Sequence, residues 1–231
     1  MDITLYHCEK GNKEPFILLH GNGEDGTYFK HQIDYFSDKY RVITLDTRGH
    51  GKSQRGNAPF TIKQFAKDLD GFMNYMGITK AIILGFSDGA NIAMEFALKY
   101  PHRVKALILN AGNLNPKGVK KIIQLPIELG YKIATKFSSK SQKAKANAEM
   151  LGLMVNEPYI DSRELIKISV PTLVICGTRD MIKESHTKEI VKSIPNAKLA
   201  IVKGNHFIAN NNPRAFNKEV EDFLRRLLND N

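Results

Sequence analysis

The sequence predicts an α/β fold built on a mostly parallel sheet. Two patterns carry that expectation. Short apolar runs alternate with amphipathic, helix-spaced stretches along most of the 231 residues, which is the rhythm of strand–helix–strand units. Several runs, among them Phe16–Leu19, Ala81–Leu84 and Thr172–Cys176, are near-continuous in apolar residues, as suits parallel strands buried on both faces. A third observation places chemistry on this frame. Gly85-Phe86-Ser87-Asp88-Gly89 closes one such run and precedes a helix-like stretch, Ala90 to Tyr100. A serine between two glycines at a strand-to-helix junction is the pattern of a nucleophile elbow. The turn is so tight that its central residue is strained, and side chains two residues to either side would collide.

The elements follow in order. Strands are expected at Ile3–Tyr6, Phe16–Leu19, Arg41–Leu45, Ala81–Leu84, Val104–Leu109, Thr172–Cys176 and Lys198–Val202. Thr61 to Met76 reads as a helix, with Ile62, Phe65, Leu69, Phe72 and Met76 on one face. Thr61 and Gln64 form a potential capping box, and Gly77 a C-terminal stop. Pro213 opens a last helix with Phe216, Val220, Phe223, Leu224 and Leu227 along one side. Residues 113–167 break the rhythm, with helical patterns and no convincing strand. They are expected to form a small helical cap inserted into a core of residues 1–112 and 168–231. The cap's apolar residues, Ile122, Ile123, Leu125, Leu129, Leu151, Leu153, Met154 and Val155, are expected to face the sheet.

Composition narrows the class. Hydrophobic residues make up 42% and charged residues 25%, which is ordinary for a globular enzyme and unlike a disordered chain. No apolar stretch is long enough to cross a bilayer, and Met1-Asp2-Ile3-Thr4 lacks the layout of a secretion signal. Two cysteines, Cys8 and Cys176, indicate neither a disulfide framework nor a metal cluster, so a cytoplasmic setting is expected. The net charge of +10 invites a nucleic-acid or membrane reading. The lysines are mostly scattered over amphipathic stretches, however, so no nucleic-acid partner and no stable membrane insertion are expected. The segment from Lys117 to Lys145 is the exception, rich in lysine and poor in acids. Oligomeric state is left open.

A serine hydroxyl needs a base to take its proton, and the base needs an orienting acid. In open parallel sheets such groups gather where strands end. Thr172–Cys176 runs into Gly177-Thr178-Arg179-Asp180, and Lys198–Val202 into Lys203-Gly204-Asn205-His206-Phe207. The chain order Ser87, Asp180, His206 is that of a nucleophile, an acid and a base on this architecture. The run Val104–Leu109 is followed by Asn110 and Asn113, so the rival place for the acid holds no carboxylate. Two donors for a developing oxyanion are expected from the backbone N–H groups of Asp88 and of Asn22, in the loop His20-Gly21-Asn22-Gly23. His20 is expected to be structural. No metal or organic cofactor is implied.

The chain resembles the α/β-hydrolase superfamily. The matching segments are HGNG at His20–Gly23, DTRGHGKS at Asp46–Ser53, GFSDGA at Gly85–Ala90, GTRD at Gly177–Asp180 and GNHF at Gly204–Phe207. The resemblance implies the α/β-hydrolase fold, with a mostly parallel central sheet, helices on both faces and a cap over the pocket. It also implies a structural role for the Asp46–Gly51 turn. The expected activity is that of a serine hydrolase on a small carboxylic ester or related acyl compound, through an acyl-enzyme on Ser87. C–C bond hydrolases, lactonases and perhydrolases share the constellation. Dehalogenases and epoxide hydrolases place aspartate where this chain has Ser87. The elbow is similar to that of valacyclovirase-like amino-ester hydrolases, in which case Asp88 binds a substrate ammonium. The alternative is that Asp88 caps its helix.

Two readings compete from outside this class. Gly21-Asn22-Gly23-Glu24-Asp25-Gly26 matches the dinucleotide fingerprint G-x-G-x-x-G, with Asp46 at about the right distance. That reading leaves Ser87, Asp180 and His206 unexplained. Gly49-His50-Gly51-Lys52-Ser53 hints at a phosphate loop, but Asp46 stands where the first glycine is needed. A non-catalytic binding protein on the same fold is the other alternative.

Overall fold

A computed structural model describes residues 2–229. The elements are β1 (His7–Lys10), β2 (Pro15–Leu19), α1 (Lys30–Phe36), β3 (Arg41–Leu45), α2 (Ile62–Tyr75), β4 (Ala81–Phe86), α3 (Asp88–Lys99), β5 (Val104–Asn110), α4 (Lys121–Phe137), α5 (Gln142–Asn156), β6 (Thr172–Gly177), α6 (Glu184–Ser193), β7 (Ala197–Val202), α7 (Ile208–Asn211) and α8 (Pro213–Asn229). The strands form one sheet in the order β1-β3-β2-β4-β5-β6-β7. Every pairing is parallel except β1 with β3. The expected α/β-hydrolase fold is therefore present.

The central strands β2 to β6 are buried on both sides, their alternate residues pointing to opposite faces. One face of the central strands, with Ile17, Leu19, Ile43, Ile83 and Leu107, packs under α2, α3 and α6. The other, with Phe16, Leu18, Val42, Ile82 and Leu84, packs against α1 and α8 through Phe36, Phe216, Val220 and Phe223. The amphipathic patterns of α2 and α8 thus meet opposite sides of the same strands. Thr61 caps α2 by accepting the Gln64 N–H at 3.1 Å. The second arm of the box is not made, because the Gln64 amide donates to Asp68 instead.

Two expectations need correction. Ile3–Tyr6 is not a strand; the first strand is His7–Lys10. Ile3 and Leu5 are buried, but against the α2 side of the core. Their alternation reflects packing under a helix, while β1 is an edge whose side chains are mostly exposed. The second concerns the apolar side chains of the helices between β5 and β6, most of which do not face the sheet as expected. Leu153 is buried, whereas Ile122, Ile123, Leu125 and Leu129 are exposed; Leu151, Met154 and Val155 are half-buried. Helix α4 instead turns Gln124 and Ala134 inward. A β-carbon added to Gly130 would lie 3.3 Å from Leu151, and one on Gly152 would lie 3.3 Å from the Tyr131 ring. Small residues let α4 and α5 pack closely and leave the larger groups outside.

Candidate active site

The elbow is the strained turn that the glycine spacing requires. Ser87 has φ 53° and ψ −117°, a conformation that costs of order 1–3 kcal/mol for a residue with a side chain. A β-carbon on Gly85 would fall 2.2 Å from the Gly89 carbonyl oxygen, and one on Gly89 would fall 2.0 Å from that of Leu19. Only glycine allows α3 to approach β2 and β4 this closely. The Ser87 N–H donates to the Asn110 carbonyl at 2.8 Å, so the neighbouring strand holds the turn.

His206 and Asp180 reach Ser87 from two other strand ends. His206 Nε2 lies 3.1 Å from Ser87 Oγ, and its Nδ1 lies 2.7 Å from Asp180 Oδ1. An ionised carboxylate only accepts, so Nδ1 carries the proton and Nε2 is left as the acceptor for the serine hydroxyl. Burial alone would raise the Asp180 carboxyl. The hydrogen bond and charge of His206, with backbone N–H groups of Ile182 and Gly177, outweigh it and hold Asp180 below the usual carboxylate range. Those N–H groups donate to Oδ1 and Oδ2 at 3.0 and 3.2 Å. The Asp180 carbonyl accepts from Lys120 Nζ at 2.5 Å, which ties the start of α4 to the acid's loop.

Asp88 stands at the first position of α3, where backbone N–H groups have no intrahelical acceptor. Its side chain is not a cap; Ser87 is the N-cap residue, and the Asp88 carboxylate points into the interior. Oδ1 accepts from Asn91 Nδ2 at 3.2 Å, and Asn91 is in turn bonded to Asn113. Oδ2 is buried without a partner. Burial, with a smaller push from Glu157, raises the carboxyl to about 7 against the Asn91 hydrogen bond. Asn22 lies in the loop after β2, and its side-chain amide donates to the Met150 carbonyl of α5 at 2.7 Å.

The neighbouring loops are committed elsewhere. His20 donates from Nδ1 to the Gly21 carbonyl (2.7 Å) and accepts the Thr47 N–H at Nε2 (3.0 Å). With both nitrogens used it cannot serve as a second base, and burial lowers its pKa further. Asp46 accepts from Gly26 N–H and Lys52 N–H, both at 2.8 Å. The acid of the dinucleotide fingerprint is thus occupied by its own loops. Arg48 is fully buried between Asp68 and Asp2, 2.7 and 2.6 Å away, as fits a structural turn. Among the described residues no cluster of three or more His, Cys, Asp or Glu side chains is placed to hold a metal ion.

Several contributors were not apparent from sequence. Phe86, just before Ser87, packs against His206 with ring centroids 4.9 Å apart and stacks on Tyr28 at 4.4 Å. A β-carbon on Gly21 would come within 3.0 Å of the same Phe86 ring. Glu24 accepts the Gly21 N–H at 3.3 Å, and burial pushes its carboxyl up to about 7. The Asn91–Asn113 pair had no sequence signal beyond its residue types. Phe86 did carry one, as the last apolar residue before Ser87.

With this geometry in hand, similarity to known proteins places the chain. The α/β-hydrolase fold profile matches residues 14–128. A proline iminopeptidase of Pestalotiopsis fici is 30% identical, over 83% of this chain and 85% of the relative. The chain belongs to the α/β-hydrolase family. It is also 28% identical to a putative non-heme chloroperoxidase of Synechocystis, over 98% of this chain and 94% of the relative. The crystal structure of an enol-lactonase from Burkholderia xenovorans superposes with a TM-score of 0.81 at 22% identity, covering 96% of this chain and 97% of that one. The relatives carry names for different reactions, and they support a hydrolase enzyme without fixing its substrate. Among the described residues no helix is long and apolar enough to cross a membrane.

Proposed function

We propose that this α/β-hydrolase is a serine hydrolase that cleaves a small carboxylic ester, or a closely related acyl compound, through an acyl-enzyme on Ser87. The observation that carries the reading is the continuous contact from Ser87 Oγ to His206 Nε2 (3.1 Å) and from His206 Nδ1 to Asp180 Oδ1 (2.7 Å). His206 takes the hydroxyl proton as Oγ attacks the acyl carbon, then returns it to the leaving alcohol. Asp180 holds the tautomer and stabilises the imidazolium. The backbone N–H groups of Asp88 and Asn22 are assigned to the oxyanion. Water then attacks the acyl-enzyme with His206 again as the base. Residues 113–167 act as the cap over a core of residues 1–112 and 168–231. The two free thiols, Cys8 exposed and Cys176 buried, fit a cytoplasmic setting. Ser87→Ala is expected to abolish p-nitrophenyl acetate and butyrate cleavage together with fluorophosphonate labelling. Wild-type rates in that variant overturn the assignment.

A narrower reading concerns Asp88. A buried carboxylate oxygen without a partner, one residue from the nucleophile, favours a substrate with a nearby ammonium group, which would supply the missing counter-charge. Kinetics on neutral and α-amino esters of equal size check it. Asp88→Asn is expected to erase the preference for the amino ester, and an unchanged preference refutes it. A lactone is an internal ester and meets the same chemistry, so a lactone panel belongs in the same screen.

A further inference from the structure

Helix α4 turns its largest apolar side chains away from the rest of the protein. Ile122, Leu125, Leu129, Ile133 and Phe137 recur at three- and four-residue spacing and are 79, 62, 61, 54 and 47% exposed. The opposite side of the helix, with Gln124 and Ala134, is the one that is buried. A helix of a globular protein ordinarily buries its apolar stripe. A continuous exposed stripe marks an interaction surface.

The charges beside the stripe indicate what covers it. Lys121, Lys132 and Lys136 fall along one edge of it by helical spacing, and Lys140 in the following turn and Lys143 at the start of α5 come next. Glu128 is the only carboxylate between Lys117 and Lys145. Among the described residues none of these five lysines has a carboxylate within ion-pair distance, whereas Lys167, Lys188 and Lys218 elsewhere on the surface do. An apolar face edged by unpaired lysines is the pattern of a helix that lies in a lipid–water boundary. A second copy of the chain fits less well. A two-fold interface sets the same patch against itself, which would bring the lysine edges of both copies together.

We propose that this face docks the protein on an anionic lipid surface. The helix lies parallel to the membrane, with Ile122, Leu125, Leu129 and Ile133 at the acyl boundary and the lysines on the lipid phosphates. The docking is peripheral and reversible, and it does not depend on the chemistry at Ser87.

Co-sedimentation of the whole protein with lipid vesicles tests it. Binding to phosphatidylcholine vesicles containing phosphatidylglycerol is expected at low salt. It should weaken steeply as salt rises and be at least about tenfold weaker on pure phosphatidylcholine. Two double variants should each bind the anionic vesicles at least about tenfold less well, Leu125→Asp with Leu129→Asp and Lys132→Glu with Lys136→Glu. Both change exposed side chains, and unchanged thermal melts and unchanged cleavage of a short soluble ester would show that they fold. Three results overturn the proposal. One is the absence of binding to anionic vesicles. Another is binding by both variants as tight as that of the wild type. The third is a wild-type dimer in sedimentation equilibrium that the Leu125/Leu129 variant splits, which would assign the face to a second copy.

Discussion

The rim of the sheet around Ser87 and the α4–α5 hairpin above it are held together in opposite ways. At the rim, buried polar groups are matched across long stretches of chain. His20 is bonded to Thr47, Asp46 to Gly26 and Lys52, Arg48 to Asp68 and Asp2, and Asp180 to Ile182, Gly177 and His206. In the hairpin the polar contacts are fewer. Ser141 caps α5, and the Gln124 amide donates to the Met154 carbonyl. Asn22 and Arg55 reach the Met150 carbonyl and the Glu149 carboxylate of α5 from outside the hairpin, and close backbone approach at Gly130 and Gly152 packs its two helices together. The difference teaches that geometry at the rim is over-determined, whereas the hairpin is fixed mainly by its inner face and leaves its outer face free to vary.

Substitutions can break or sharpen that contrast. The largest effect is expected for Asp180→Asn, which keeps the shape but spoils the His206 tautomer. Turnover of p-nitrophenyl butyrate should fall by roughly 10⁴-fold, with little change in melting temperature. Gly89→Ala is next, because its β-carbon would collide with the Leu19 carbonyl. A loss above about 4 kcal/mol in urea unfolding, or failure to accumulate folded protein, is expected. Asp68→Ala leaves Arg48 buried with Asp2 alone and should cost about 3–5 kcal/mol in the same assay.

Asp88→Asn should act in the other direction, and with a defined pH dependence. The folded carboxyl loses its proton near pH 7, an unfolded aspartate near 4. Between those values the unfolded chain sheds a proton that the folded chain keeps. The contribution of Asp88 to native stability therefore declines from about pH 4 to about pH 7 and is level above. The asparagine removes the decline, so unfolding at pH 8 should show a gain on the order of 3–4 kcal/mol that shrinks steadily toward pH 5. A gain independent of pH would mean that the carboxylate is not the cause. The smallest effect belongs to the hairpin's outer face. Leu129→Ala should change unfolding free energy by no more than about 0.5 kcal/mol. A core-sized loss there would erase the distinction between the two regions.

Most of the rim was legible in the sequence because each of its chemical groups carries a local mark, even where its bonding partner lies far along the chain. Strand Arg41–Leu45 and the other central strands follow from runs that are buried on both faces. The elbow follows from two glycines flanking Ser87, and Asp180 and His206 follow from their places just beyond strands. What escaped has no local signature. The edge strand His7–Lys10 pairs through its backbone while its side chains face solvent, so it leaves no apolar alternation, and Ile3 and Leu5 mimicked one. In α4 the periodicity shows that two faces differ, but not which of them is inward. That is decided by Gly130, Ala134 and Gly152, whose small size permits close packing, against the intuition that large apolar groups go inside. The Asp88–Asn91–Asn113 chain joins two elements across the fold and has no spacing to read.

Phe86 has a consequence for how the site moves. One aromatic ring touches the imidazole of His206 on one side and backs the glycine loop at Gly21 on the other. The proposed proton carrier and the proposed anion cradle therefore lean on a common bearing. Both rest against the same ring, and the strand that supplies it continues directly into Ser87. The machinery is geared as one piece, so loosening that ring would set both halves adrift together instead of disabling them one at a time.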